Sequence, residues 1–191
     1  MKPHSTSFAI ALLAGLATGC QTAKITSASA DSFSSRVTKS DSILVKPFDA
    51  SRAQFKGKFA DVSVLADADR RRISEIICAA MIHRLREKGY QARPFDTNAT
   101  ADAIVVEGAV LEVDKGSYAK RLMIGLGSGS ASIKADVVIR RGLHAEPMAR
   151  LQMAGTGGIT GGMWANEDWI GIYSASVGFK AADYLMGKAA K

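Results

Sequence analysis

Histidine and cysteine are nearly absent. The 191 residues hold three His and two Cys, too few cysteines to frame a disulfide miniprotein and little material for a His-built metal centre. Aromatic residues reach only 7% and proline occupies four positions. The apolar run Phe8 to Leu16 is too short to cross a bilayer of roughly 30 Å as a helix. What remains is ordinary globular material: 47% hydrophobic and 23% charged residues, which excludes wholesale disorder and a fibrous repeat. Eighteen glycines suit a compact sheet protein with many turns. The formal net charge is +7, a balance that would raise nucleic acid for a cytosolic chain.

The N-terminus removes that option. Lys2 supplies a basic start, Phe8 to Leu16 an apolar core, and Ala17-Thr18-Gly19 a run of small residues leading into Cys20. This order is that of an export signal, and it resembles the lipobox of bacterial lipoproteins. The resemblance implies cleavage before Cys20, diacylglycerol on its sulfur and an acyl chain such as palmitate on its new amine. Two or three chains anchor stably where one binds only marginally. Gln21 stands where an aspartate would retain such a protein at the inner membrane. The implied location is therefore the outer membrane of a Gram-negative envelope, with the domain on the periplasmic face. Residues 1–19 are then the signal peptide, 20–42 a lipidated cysteine and flexible tether, and 43–191 a single periplasmic domain. The tether expectation rests on Thr22 to Ser42, which is rich in Ser, Thr and Ala and has no sustained period.

Within 43–191 the periodicities predict an α+β fold: a mixed, mainly antiparallel sheet with one long amphipathic helix and a C-terminal helix packed on it. Ile43-Leu44-Val45, stopped by Pro47, reads as a strand near an edge. Ile73, Ile76, Ile77, Ala80, Met81 and Leu85 recur at helical spacing, with Asp67 or Asp69 as N-cap and Gly89 as stop. Arg70, Arg71 and Arg72 then fall in the first turn, where the helix dipole disfavours cations. Ile104 to Val113, Ala131 to Arg140 and Leu151 to Gly155 read as strands, and Ser174 to Lys188 as the closing helix.

Ile43-Leu-Val-Lys-Pro-Phe48, Ala101-Asp-Ala-Ile-Val-Val-Glu-Gly-Ala-Val110 and Arg121-Leu-Met-Ile-Gly-Leu-Gly-Ser-Gly-Ser130 are similar to a family of small bacterial envelope lipoproteins catalogued as a domain of unknown function. The layout more loosely resembles lipoproteins of the curli-secretion and penicillin-binding-protein-activator type. That family implies no catalytic residue.

The residues themselves assign no cofactor and no metal. Gly125 to Ser130 lacks the Lys-Ser/Thr of a phosphate loop and reads as a hairpin turn. Ser128 and Ser130 have no nucleophile motif around them, and His83, His144 and the pair Glu167-Asp168 make no ligand set. Cys78 reads as a buried small apolar residue, a dimer disulfide being the alternative. Trp164 and Trp169 flank a Gly-opened loop and are candidate partner contacts, or else caps on the domain's own core. Arg70 to Arg72 are candidate contacts to headgroup phosphates or acidic proteins, or else a solvated face. The expected function is a non-enzymatic structural or adaptor lipoprotein. The alternative is a subunit of an oligomeric outer-membrane secretion pore, built on a hairpin of Tyr118 to Leu126 with Ala131 to Arg140. Lys120, on the same face as Leu122 and Ile124, counts against it. An enzyme acting on peptidoglycan or lipid would need a clustered acid/base pair.

Overall fold

The computed structural model of the chain describes residues 21–29, 37–56, 63–97, 102–114, 131–157 and 169–187. Strands β1 (Gln21–Ser29), β2 (Ser42–Val45), β3 (Gln54–Lys56), β4 (Gln91–Pro94), β5 (Ile104–Asp114), β6 (Ser132–Arg141) and β7 (Pro147–Gly157) form one sheet. Its order is β1-β7-β6-β5-β2-β4, with β3 also on β5. Helices α1 (Ser63–Glu87) and α2 (Trp169–Leu185) complete the described elements. The ladder β5-β6-β7-β1 is antiparallel, whereas β2, β3 and β4 join by parallel pairings. The architecture is the α+β fold expected, a mixed and mainly antiparallel sheet with two helices on it.

Strict alternation in β6 decides which face meets the helices. Ile133, Ala135, Val137 and Ile139 are buried, and their register partners Val113, Val110 and Val106 on β5 and Met153 and Leu151 on β7 are buried with them. Burial of this apolar layer against α1 and α2 is the main favourable term, worth roughly 25 cal/mol per Å² of apolar surface removed from water. On α1 the predicted stripe is the buried one: Ile73, Ile77, Met81 and Leu85 are fully inaccessible. The helix stops where expected. Gly89 takes φ 83°, and Tyr90 N–H donates to the Leu85 carbonyl at 3.0 Å, closing the last turn.

Three expectations are corrected. First, α1 begins at Ser63, so Asp67 and Asp69 lie inside it and Arg70 to Arg72 fall in the third turn. No breaker separates Ser63-Val64-Leu65-Ala66 from the stripe, and the arginines escape the first-turn dipole. Second, β2 is interior, between β5 and β4. Its continuous apolar run suits a strand buried on both faces, and Pro47 lies beyond its last ladder position. The chain nevertheless keeps tracking β5: Asp49 N–H donates to the Gly108 carbonyl and Val110 N–H to that of Asp49, both at 2.8 Å. Gly108 is obligatory there, because a Cβ would sit 2.4 Å from the Phe48 ring and 2.6 Å from the Asp136 carbonyl.

Third, part of the expected tether is strand β1. Gln21 to Ser29 pairs antiparallel with β7 from Gln21↔Gly157 to Ser29↔Arg150. Ala23 and Ile25 are half-buried toward the helix layer, while Lys24 and Thr26 are exposed. At the bulge the Thr26 hydroxyl donates to the Gln152 carbonyl at 3.0 Å. The composition gave no hint, because this strand is held by backbone bonds along β7 more than by apolar side chains. The expected signal peptide, the expected turn at Gly125 to Ser130 and the expected hairpin arm at Tyr118 to Leu126 lie outside the described residues.

The helices meet through small residues. Along α2, Ser174, Gly178, Ala181 and Leu185 share one face and are buried. A Cβ on Gly178 would lie 2.4 Å from the Ile77 carbonyl and 3.0 Å from Ala80 Cβ. Alanine is the better helix former by about 1 kcal/mol, so the sign of a Gly178→Ala effect isolates this clash. We expect a net loss of about 1–3 kcal/mol in urea denaturation; a stabilised variant would mean the helices do not approach this closely.

Candidate functional site

No described helix covers the opposite face of the sheet, which carries the odd members of the same alternation. On β6 these are Lys134, Asp136, Val138 and Arg140; opposite them on β5 stand Glu112, Ala109, Glu107 and Val105. On β7 they are Ala154, Gln152 and Arg150. Two carboxylates organise the charges. Glu107 accepts from Lys46 Nζ at 3.0 Å and from Arg140 Nε at 2.9 Å. Arg140 also donates to the Ala145 carbonyl at 2.9 Å, and Lys46 lies 4.9 Å over the Phe95 ring. Glu112 accepts from Lys56 at 2.5 Å and pairs with Lys134 at 3.1 Å.

These contacts set the protonation states. Partial burial pushes the Glu107 carboxyl up, but the hydrogen bonds from Lys46 and Arg140 outweigh it and hold the group below the ordinary glutamate range. The Lys56 hydrogen bond leads in holding Glu112 low as well, against a smaller opposing effect of burial and with help from Lys134. Both are ionised at neutral pH.

Two depressions lie on this face. The larger, about 570 Å³, is lined by Asp49, Arg52, Gln54, Glu112, Lys134 and Gln152 among others. The smaller, about 300 Å³, includes Ser27, Asp136, Val138, Arg150 and Gln152. They share Gln152, whose amide donates to Asp136 Oδ1 at 3.2 Å, so together they make a shallow groove of mixed polar and apolar lining across β1, β7, β6 and β5. Its amides, carboxylates and guanidinium groups can hydrogen-bond a polar surface in several registers. Its shallowness suits a macromolecular partner better than an enclosed small molecule.

The residues singled out from sequence lie elsewhere. Cys20 and Trp164 are outside the described residues, as are Glu167 and Asp168. Trp169 is the first residue of α2, half-buried against the core, with its ring 5.8 Å from that of Tyr173 at 59°. It belongs to a helix and not to the expected loop, because the helical run of α2 starts five residues earlier than the apolar spacing alone indicated. Arg70 is committed internally: it donates to the Ala50 and Ser51 carbonyls at 2.6 and 2.8 Å and stacks 4.7 Å over Phe55. It bolts α1 to the segment between β2 and β3. Arg71 and Arg72 are exposed on α1, away from the open face. Arg84 binds Asp183 at 3.1 Å and Arg86 the Ala92 carbonyl at 2.6 Å, so the basic helix face is partly structural. Cys78 is half-buried, its thiol 3.7 Å from the Val45 carbonyl and pushed up in pKa by burial. Among the described residues no three of His, Cys, Asp and Glu converge as a metal site.

Glu107, Glu112, Lys46 and Gln152 were missed from sequence. Alternation in β6 exposed Lys134, Asp136 and Arg140, but nothing in the order of residues tells that Lys46 would reach Glu107, 61 positions away. Because both carboxyls are held low, their stabilising contribution is fully present above the ordinary glutamate pKa of about 4.3 and is lost as pH falls through the depressed values. We expect the urea midpoint of the native protein to drop steeply below about pH 4. In Glu107→Gln that drop should be shallower, starting from a lower midpoint at pH 7; parallel curves for the two proteins would sink the assignment.

A family model described as a domain of unknown function, DUF4410, matches residues 43–166. No curated protein matches the chain. Similar solved structures include a PelC dodecamer from Paraburkholderia phytofirmans and a point variant of it. Both share 14% identity and cover 87% of this chain and 97% of theirs, with TM-scores of 0.48 and 0.47. An uncharacterised protein shares 8% identity over 78% of this chain and 91% of its own, with a TM-score of 0.41.

Proposed function

The chain belongs to the DUF4410 family, and on that premise we propose that it is a non-enzymatic, lipid-anchored envelope protein. Lipid on Cys20 holds it at the periplasmic face of the outer membrane, and the open face of its sheet serves as an adaptor surface for another envelope component. The observation that carries the adaptor reading is the state of the open face. Glu107 and Glu112 are each clamped between two cations and held below the ordinary range. A general acid needs the opposite shift, upward toward neutral pH. Fixed, ionised pairs instead offer a pattern of charge and amides to a complementary surface, which favours specificity and on-rate.

The pore alternative has less support. The described parts of β5 and β6 have one face packed under helices and the other lined with charge, so neither suits hydrocarbon.

Two measurements test the reading together. Membrane fractionation of native protein should place it with the outer membrane, and Cys20→Ala should abolish processing and retention there. A photo-crosslinker at Val138 or Arg150, on the open face, should capture one discrete neighbour in cells, while the same probe at His83 on the exposed side of α1 should not. Equal labelling from both positions would count against the open face as the docking surface.

A further inference from the structure

The register of the sheet brings the anchor to one defined end of the domain. Gln21 pairs with Gly157, and the next rung runs from Thr22 through Thr156, Ser132 and Asp114 to Lys56. Cys20 is one residue from Gln21, so its Cα lies about 3.8 Å from that of the first strand residue. The tether read from composition would have given a reach of roughly 25 Å for about 20 flexible residues. With β1 in the sheet, that slack is gone.

Both helices begin at this same end. α2 crosses β7 near that strand's end, with the Tyr173 carbonyl and Val177 against Gly155. α1 runs alongside in the same direction: Ile77 meets Gly178 and, further on, Arg84 meets Asp183. Near its start Arg70 stacks on Phe55 of β3, beside Lys56. The positive ends of two helix dipoles therefore lie at the end of the sheet where Gln21 begins β1. At the opposite end stand the helix C-termini and the β6–β7 turn with exposed Leu143 and Glu146, about 30 Å away along the nine residues of β1.

We infer that the sheet end carrying Gln21, Gly157, Ser132 and Lys56 faces the phospholipid headgroups, with the strands running away from the bilayer. The inference rests on lipidation of Cys20 as proposed above. It gives the domain a fixed orientation: the open groove, which crosses the strands, faces sideways along the membrane and meets partners anchored in the same leaflet.

The test is depth-dependent quenching. Lipidated protein carrying Cys78→Ala, in which Cys20 is blocked by its lipid, receives a single labelling cysteine. Lys56→Cys and Gln54→Cys report the anchor end; Leu143→Cys and Glu146→Cys report the far end. Each is labelled with bimane and reconstituted into vesicles of phosphatidylethanolamine and phosphatidylglycerol containing headgroup spin-labelled lipid. We expect several-fold quenching at both anchor-end positions and none at the far end. A Gly-Ser linker of about 20 residues inserted between Cys20 and Gln21 should erase the difference. Equal quenching at both ends, in protein that floats with the vesicles, overturns the orientation and leaves the anchor standing. Protein with intact Cys20 that fails to float overturns the anchor, and the orientation with it.

Discussion

Every part of this domain is organised by the backbone hydrogen bonds of strand β5, which are used on both sides along its length. One edge carries the antiparallel ladder to β6, and through it β7 and β1. The other edge is shared by three successive pieces of one chain segment: β2, the residues around Asp49, and β3. Buried backbone groups left unpaired cost several kcal/mol each in an apolar setting, so this double use determines where the segment from Ser42 to Lys56 can run. Phe48 packs over Gly108 because only a glycine leaves room for the ring at that crossing.

The two faces of the sheet then diverge. One is covered by α1 and α2, drawn close by Gly178 and the neighbouring alanines and pinned by Arg70 and Arg84 at separate points along α1. The other carries partly exposed charges, with Glu107 and Glu112 each held between two cations. Exposed ion pairs of this kind contribute little stability individually. Their arrangement in a row across β5 and β6 is better understood as a surface pattern than as a brace.

The lipid anchor proposed on Cys20 would couple to this architecture through β1. A lipid at the end of a loose tether would leave orientation open; a lipid one residue from an edge strand leaves little freedom. The same nine residues also cover the edge of β7, which would otherwise present a long unpaired ladder to other chains.

The local order of residues by itself determined the buried stripe of α1, its stop at Gly89, the inward face of β6 and the class of the fold, because each depends on a period of 3.6 or 2 along the chain. The lipobox likeness at Cys20 is likewise a local pattern, complete within a few residues. Tertiary structure alone decided that β2 is interior, that Gln21 to Ser29 is a strand, and that Lys46, Glu107 and Arg140 meet. It also turned Arg70 from a candidate contact into an internal bolt, and Trp169 from a loop residue into the start of a helix. Those outcomes depend on which strand edge lies free and which carbonyls remain unpaired after the chain has closed on itself. No period along a single segment carries that information.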